Sequence, residues 1–267
     1  RILRAVRYEQ RFDFRMEART LELLMDAVPL VNRVTPARIR HELDRIFQEQ
    51  RPEKALQRLD ELGVLAAIHP RLATTTTLAG QCAALRARLA AGNPALEDAG
   101  EEIERLYWGL LVYPILPAEA VDADEEVATG VIGELTETLK LRGETTRLML
   151  RLAHLKAHRS ELADGSLRPS RVVEILDRSP LVARLLFGLA ENEPTIDSHL
   201  RRFQDECQHI RPTITGHDLR ALGIAPGPAF GRILSRLRAA LLDGEIEGEA
   251  GERQLVAELA KETDGDI

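Results

Sequence analysis

The chain has 267 residues, of which 44% are hydrophobic, 30% charged and only 4% aromatic, and its formal net charge is −7. This composition is ordinary for a folded soluble protein whose core is built from Leu, Ala, Val and Ile, which suits helices better than sheets. No apolar run approaches the ~20 residues of a membrane span and no signal peptide opens the chain, so we expect a cytoplasmic protein with no membrane partner.

Helical signals dominate, and we find no period-2 strand longer than four residues and no repeat of fixed period. Pro36 and Pro52 stand at first helical positions, Gly63 follows a helix end, and Thr215 is a candidate N-cap. Residues 64–70 are predicted to form an apolar turn and 191–194 a break. The predicted helices, in chain order, are 1–12, 17–28, 36–49, 52–62, 78–91, 125–141, 144–161, 169–177, 180–190, 216–223, 228–242 and 251–261.

The two cysteines, Cys82 and Cys207, form neither a metal motif nor a disulfide framework, which fits a reducing compartment. The charges are unevenly distributed. Residues 1–58 carry 13 Lys and Arg against 9 Asp and Glu, whereas residues 92–137 carry 12 acids and one base. Basic segments could therefore share one face despite the negative net charge; scattered, solvated helix faces are the alternative.

The first predicted helix carries Arg1, Arg4, Arg7 and Arg11 within an arc of about 120°. Four guanidinium groups on one stripe repel one another unless something anionic faces them, and Arg suits bidentate contact with phosphate. The stripe therefore predicts a nucleic-acid contact, or else pairing with acids elsewhere in the chain.

A second basic stripe contains Arg147 and Arg151, with His154 and His158 four residues apart on the same predicted helix. Two histidines at this spacing could bind a metal, but no third ligand is evident, so we predict an RNA-facing stripe and no metal site. Asp122 and Asp124 resemble a two-carboxylate metal motif only in their residue types and spacing, and both side chains are predicted to be solvated.

The C-terminal part contains a loop of prolines and glycines. Gly223, Gly227 and Gly231 would let the backbone approach a ligand, and the helix from Pro228 could direct its first N–H groups at a phosphate, with Arg232 and Arg236 one and two turns further on. A tight connector between two helices is the alternative.

These segments carry a resemblance. Residues 1–15 read RILRAVRYEQRFDFR, residues 38–43 read RIRHEL, residues 62–70 read LGVLAAIHP, and residues 215–245 contain TGHDL, PGP and LDGE. In this order they resemble the class II tRNA nucleotidyltransferases, which are the CCA-adding and A-adding enzymes, and their bacterial poly(A) polymerase relatives. The sequence of residues 7–15 also resembles that of the long subgroup of this family, whose members carry DHH and CBS domains. Asp13 departs from a Gly found in many members, but Asp tolerates a left-handed helix end.

The resemblance implies an elongated all-α neck (1–70), body (71–197) and tail (198–267), with the catalytic α/β head absent. Arg1 and Arg4 would contact the incoming ATP or CTP. RNA would be bound by Arg7, Arg11, Arg38, Arg147, Arg151, Gly227, Arg232 and Arg236.

The partners implied are the tRNA acceptor arm, ATP or CTP, and the missing head, which would hold Mg²⁺ with the nucleotide. We expect no cofactor or catalytic residue in this chain, and no nucleotide transfer by the chain alone. A part of a poly(A) polymerase acting on mRNA and a helical protein-binding scaffold are the alternatives.

Overall fold

The structure is a computed structural model, and it describes residues 1–92, 103–118, 130–222, 224 and 227–264. Every regular element in these ranges is helical and no β-strand occurs in them, which confirms the predicted all-α class. Within the same ranges, none of the helices reaches the length and apolarity that a bilayer span requires. In chain order the α-helices of the described ranges are α1 (Ile2–Phe12), α2 (Ala18–Ala27), α3 (Pro36–Phe47), α4 (Pro52–Glu61), α5 (Val64–Ile68), α6 (Leu78–Ala90), α7 (Ile103–Val112), α8 (Gly130–Leu139), α9 (Gly143–Ala157), α10 (Arg159–Leu162), α11 (Pro169–Leu176), α12 (Leu181–Glu191), α13 (Pro194–Asp205), α14 (Gly216–Ala221), α15 (Pro228–Leu242) and α16 (Gly248–Asp264).

The chain forms two compact units. The first consists of Arg1–Arg159 and Ser179–Asn192, and the second of Ser160–Arg178 and Glu193–Ile267. The division into neck, body and tail at residues 70 and 197 stays a prediction.

In the first unit, α1, α3 and α4 pack on one another, and α5 packs on α4. Their contact surfaces carry apolar residues at helical spacing, as in Ile39, Leu43 and Ile46 of α3, all of them buried. Gly63, with φ of 70°, ends α4 in the left-handed region, as the sequence predicted.

The rest of the first unit is built around α7, which contacts α3, α6, α9 and α12. Trp108 of α7 is buried, and its indole Nε1 donates a 2.9 Å hydrogen bond to Asp44. Gly109 permits the close approach of α9 and α12, because a Cβ there would lie 2.8 Å from Leu186 Cδ1 and 3.3 Å from Leu152 Cδ1.

In the second unit, α11 packs on α13 and α15, and α15 packs on α14 and α16. Ile214, Leu219, Ile233, Leu237 and Val256 form a buried cluster. The buried carboxylate of Glu252 on α16 accepts hydrogen bonds from the backbone N–H of Thr213, at 3.1 Å, and of Ile214, at 2.9 Å.

Three local predictions were wrong. Residues 64–68 form a short α-helix instead of a turn, and the predicted helix 144–161 is divided into α9 and α10. Helix α13 was not predicted at all, because Pro194 was interpreted as a break. It instead stands in the first turn of α13, where its missing N–H costs nothing, and the Glu193 side chain caps that turn by accepting from Ile196 N.

Candidate nucleic-acid interface

The arginine stripe of α1 faces carboxylates on and just after α3. Arg4 Nη2 lies 2.7 Å from Glu42 Oε1 and Arg7 Nη1 lies 2.9 Å from Glu49 Oε1, which Arg11 also approaches at 3.6 Å. Three of the four arginines are therefore paired with acids from elsewhere in the chain, as the alternative interpretation of the stripe predicted. Glu42 and Glu49 relieve the repulsion between the guanidinium groups.

The arginines of the stripe differ sharply in exposure. The side chain of Arg4 is 53% exposed and that of Arg11 52%, but that of Arg7 is only 8% exposed. Arg7 also lies over the Tyr8 ring, with its guanidinium carbon 4.6 Å from the ring centroid. Arg7 therefore stabilises the packing of α1 in this structure, while Arg4 and Arg11 remain accessible to a ligand.

One groove on this unit, which we call the apolar groove, has a volume of about 830 Å³. It brings Arg1 and Arg4, the predicted nucleotide contacts, together with Arg38, a predicted RNA contact. Its remaining lining is mainly apolar and consists of Ile2, Leu3, Ala27, Leu30, Val31, Val34, Ala37, Ile39, Arg40, His41 and Glu42.

Glu42 is the acid of the apolar groove. Burial alone would raise the pKa of its carboxyl, but the hydrogen bond and charge of Arg4, with Arg45 and Arg7 nearby, hold that pKa below its ordinary value. The same hydrogen bond raises the pKa of Arg4. Both groups are thus charged at neutral pH, and an anionic ligand at Arg4 would compete with Glu42.

A second groove, which we call the basic groove, lies at the other end of α1 and has a volume of about 930 Å³. Its charged lining has five basic side chains, Arg7, Arg11, Arg45, Arg51 and Lys54, against two acidic ones, Asp13 and Glu49. Tyr8, Gln10, Phe12, Gln48, Gln50 and Ala55 complete it.

Sequence analysis missed three basic members of this groove, Arg45, Arg51 and Lys54. Arg45 could have been found, because it follows Arg38 by seven residues and so lies on the same face of α3. Arg51 and Lys54 flank the first turn of α4, and only the tertiary packing of α4 on α1 brings them to the groove.

The stripe on α9 is partly exposed. The side chain of Arg147 is 72% exposed and pairs with Glu144 at 2.6 Å, and Arg151 is half-buried. The rings of His154 and His158 lie 4.7 Å apart, and His158 Nδ1 lies 2.9 Å from the His154 carbonyl oxygen. Across the described ranges, no group of three or more His, Cys, Asp or Glu side chains could hold a metal ion.

In the second unit, the Thr215 cap forms as predicted. Its backbone N–H and its hydroxyl both donate to the Asp218 carboxylate, at 2.8 and 2.7 Å, in a capping box that starts α14. This bonding holds the pKa of Asp218 below its ordinary value.

At the start of α15, Gly227 is the exposed N-cap and Arg232 is exposed one turn further on. Arg236 pairs with Glu245 at 2.5 Å. Asp122, Asp124 and Gly223 lie outside the described residues.

Relatives match nearly the whole chain. An A-adding tRNA nucleotidyltransferase of Geobacter sulfurreducens is 27% identical over 97% of this chain and 29% of its own length. Another, from Halalkalibacterium halodurans, is 25% identical over 97% of this chain and 56% of its own length. The family model described as the probable RNA and SrmB-binding site of polymerase A matches residues 13–75. The chain is therefore similar to proteins of the tRNA nucleotidyltransferase and poly(A) polymerase family.

The fold agrees with that of this family. The structure of the Thermotoga maritima CCA-adding enzyme complexed with tRNA matches 98% of this chain and 60% of that one, with a TM-score of 0.68 and 24% identity. The chain spans 29%, 56% and 60% of the lengths of these three relatives, in the order given.

Proposed function

We propose that this chain is the RNA-binding portion of a cytoplasmic tRNA nucleotidyltransferase that adds AMP, or CMP and AMP, to tRNA 3′ ends. The observation that carries the proposal is that A-adding tRNA nucleotidyltransferases match 97% of the chain. The partners in this proposal are the tRNA acceptor arm, ATP or CTP, and a catalytic head. The large unmatched share of the Geobacter sulfurreducens protein is compatible with the long subgroup with DHH and CBS domains that residues 7–15 resemble.

The apolar groove supplies the nucleotide contacts in this proposal. Arg1 is exposed and Arg4 half-exposed, and both lie beside Arg38. Arg1 would hydrogen-bond the edge of the incoming base, and Arg4 would exchange Glu42 for a phosphate. In a protein that contains the head, Arg1→Ala should therefore impair the choice among nucleotides more than it impairs tRNA binding.

Among the described residues, no cluster of three or more carboxylate, His or Cys side chains could hold a metal ion. The Mg²⁺ ions that accompany ATP or CTP in such an enzyme would belong to the head. The role of this chain in the reaction is then to hold the RNA and to orient the nucleotide.

In this proposal, the arginines of the chain contact the backbone phosphates of the RNA. Arg11, Arg38, Arg147 and Arg232 are exposed, and each can reach a phosphate without losing buried packing. Four further residues remain proposed contacts. Arg7 and Arg151 are less exposed, Arg236 is exposed but paired with Glu245, and the Gly227 N-cap has no charge of its own. RNA helices are usually recognised through shape and phosphates, and such contacts carry no base identity.

Salt dependence of tRNA binding tests the proposal. Each phosphate contact releases counterions, so it should cost about threefold in affinity when salt rises fourfold. We expect a steep fall for tRNA in a fluorescence anisotropy titration. Affinity that is absent at low salt, or that does not depend on salt, would overturn the proposal.

A poly(A) polymerase portion acting on mRNA is the second candidate, favoured by the family model whose description names polymerase A. Competition between tRNA and an unstructured polyadenylate separates the two. Preferential displacement of bound probe by tRNA supports the tRNA nucleotidyltransferase, and preferential displacement by polyadenylate supports the alternative.

A further inference from the structure

Three aromatic rings at the end of α1 are exposed although the chain has few aromatics. Tyr8 is 42% exposed, Phe12 51% and Phe14 66%. Their ring centroids follow one another at 5.9 Å and 5.5 Å, and the Phe12 and Phe14 rings are stacked. We call these three rings the aromatic ladder. Leaving so much aromatic surface in water is unfavourable, which points to a ligand that covers it.

The ladder is held in place by the chain reversal after α1. Asp13 adopts the left-handed conformation, with φ of 53°, and Phe14 N donates to the Glu9 carbonyl at 3.0 Å. The buried Glu9 carboxylate also accepts from Met16 N and from Arg58 Nε, both at 3.2 Å. The backbone that carries Phe14 is therefore fixed before any ligand arrives, which lowers the entropy cost of binding.

The surroundings of the ladder are basic. Tyr8 and Phe12 line the basic groove, where Arg11, Arg45, Arg51 and Lys54 supply positive charge close to the rings. The Arg11 guanidinium carbon lies 5.4 Å from the Phe12 centroid. Stacked rings beside a groove of net positive charge match a polyanion with unpaired aromatic bases.

We propose that the aromatic ladder and the basic groove bind an unpaired stretch of RNA, whose bases stack on Phe12 and Phe14 and whose phosphates face Arg11, Arg45 and Lys54. This inference rests on the proposed function, because it names the part of an RNA that this surface takes. Paired bases present no free face to a ring, so the ladder selects single-stranded RNA, whereas the phosphate contacts proposed above accept duplex.

The test uses the intact chain with a short labelled single-stranded RNA and with a blunt RNA duplex as the two probes. The variant Phe12→Ala/Phe14→Ala removes two rings of the ladder. Leu23→Ala, which removes an apolar side chain that is 54% exposed on α2 of the same unit, is the matched control. Phe12→Tyr keeps the ring. Fluorescence of Trp108, the only tryptophan of the chain and a buried one, reports whether each variant is folded.

We expect the double variant to bind single-stranded RNA at least about fivefold more weakly while its affinity for the duplex is unchanged. Leu23→Ala and Phe12→Tyr should bind both probes as the parent chain does. If the folded double variant binds single-stranded RNA as well as the parent, or loses both probes equally, the ladder does not stack on unpaired bases and this inference is overturned.

The two proposals fail in distinguishable ways. A parent chain that binds tRNA but no single-stranded probe overturns this inference and leaves the proposed function standing. A parent chain that binds neither tRNA nor either probe overturns both.

Discussion

The carboxylate of Glu42 accepts a 2.7 Å hydrogen bond from Arg4, the guanidinium that we assign to a nucleotide phosphate. The protein thus carries an internal carboxylate where an external anion would bind. An anion that binds Arg4 therefore competes with Glu42, and the strength of this ion pair influences the affinity.

Replacing Glu42 by Gln should strengthen binding of ATP or of an RNA phosphate at Arg4, because a neutral amide competes less well than a carboxylate. An exposed ion pair is worth up to about 1 kcal/mol, so the gain should be fivefold or less. Glu22→Gln, which removes the exposed partner of Arg19 on α2, is the control. Weaker binding by Glu42→Gln in an equilibrium titration would mean that Glu42 belongs to the ligand site itself.

The same pair predicts a pH dependence of stability. The pKa of Glu42 in the folded chain lies below its ordinary value of 4.5, so the ionised carboxylate stabilises the fold above that pH. This contribution, which is below about 1 kcal/mol, is lost as the pH falls through the lower folded pKa. Urea unfolding should therefore show a difference between the parent chain and Glu42→Gln at neutral pH that shrinks in acid; a difference that grows in acid would contradict the sign.

Asp44 behaves in the opposite way. Burial raises the pKa of its carboxyl above the ordinary value of 3.8, against the hydrogen bond from Trp108 and the charge of Arg40, which lower it. The stability from this group is complete below its unfolded pKa and is lost as the pH rises through the folded one. Asp44→Asn keeps an acceptor for the indole, so its free energy of unfolding at neutral pH should equal or exceed that of the parent.

The companion variant Asp44→Ala leaves the buried indole N–H without that acceptor and should lower the free energy of unfolding by about 1–3 kcal/mol. Denaturant titration of both variants at two pH values gives their free energies of unfolding and tests both predictions. A loss of similar size for Asn and Ala at neutral pH would show that the charge of Asp44, and not its acceptor, matters.

Gly109→Ala should destabilise the first unit by about 1–3 kcal/mol, because its Cβ would overlap Leu186 and press on Leu152 where α7 meets α12 and α9. Gly80→Ala, at an exposed position in α6 with nothing within 4 Å of the added Cβ, should instead stabilise by about 0.5–1 kcal/mol. Thermal unfolding of both variants gives the comparison. Equal effects would show that the contact at Gly109 relaxes without cost.

In the second unit, Arg232→Glu should weaken binding of different tRNAs alike and reduce the dependence on salt by about one counterion. Arg178→Glu, at another exposed arginine of the same unit, should change little. Arg184 is a poorer control because it lies in the first unit. Filter binding of tRNA at two salt concentrations tests this prediction. An unchanged affinity for Arg232→Glu would show that helix α15 does not contact the RNA.

Much of the helical fold could be predicted from the sequence, because the ends of a helix are set by residues close to them in the chain. Pro36, Pro52 and Gly63 mark their helix ends in the sequence as they do in the structure. Pro194 shows the limit, because a proline marks either the start of a helix or its interruption. The deciding contact, between Glu193 and the backbone of Ile196, forms only once the turn exists.

The candidate site was predictable in part. Helical spacing placed Arg1, Arg4, Arg7 and Arg11 on one stripe, and the structure keeps them there. That spacing could not show that Arg7 is buried against Glu49. It also could not show that Arg51 and Lys54 line the basic groove together with Arg11. Both facts depend on how α3 and α4 pack against α1. The part each arginine plays in binding stays a prediction.

The buried carboxylate of Glu252 decides where this chain can be shortened. Glu252 satisfies two backbone amides ahead of α14, and Val256, one turn further on, completes the core of the second unit. A protease cutting before Gly248 would therefore remove a hydrogen-bonding partner and a core side chain together, and the buried backbone N–H of Ile214 would lose its acceptor. Helix α16 is for this reason an internal part of the second unit, although it comes last in the sequence.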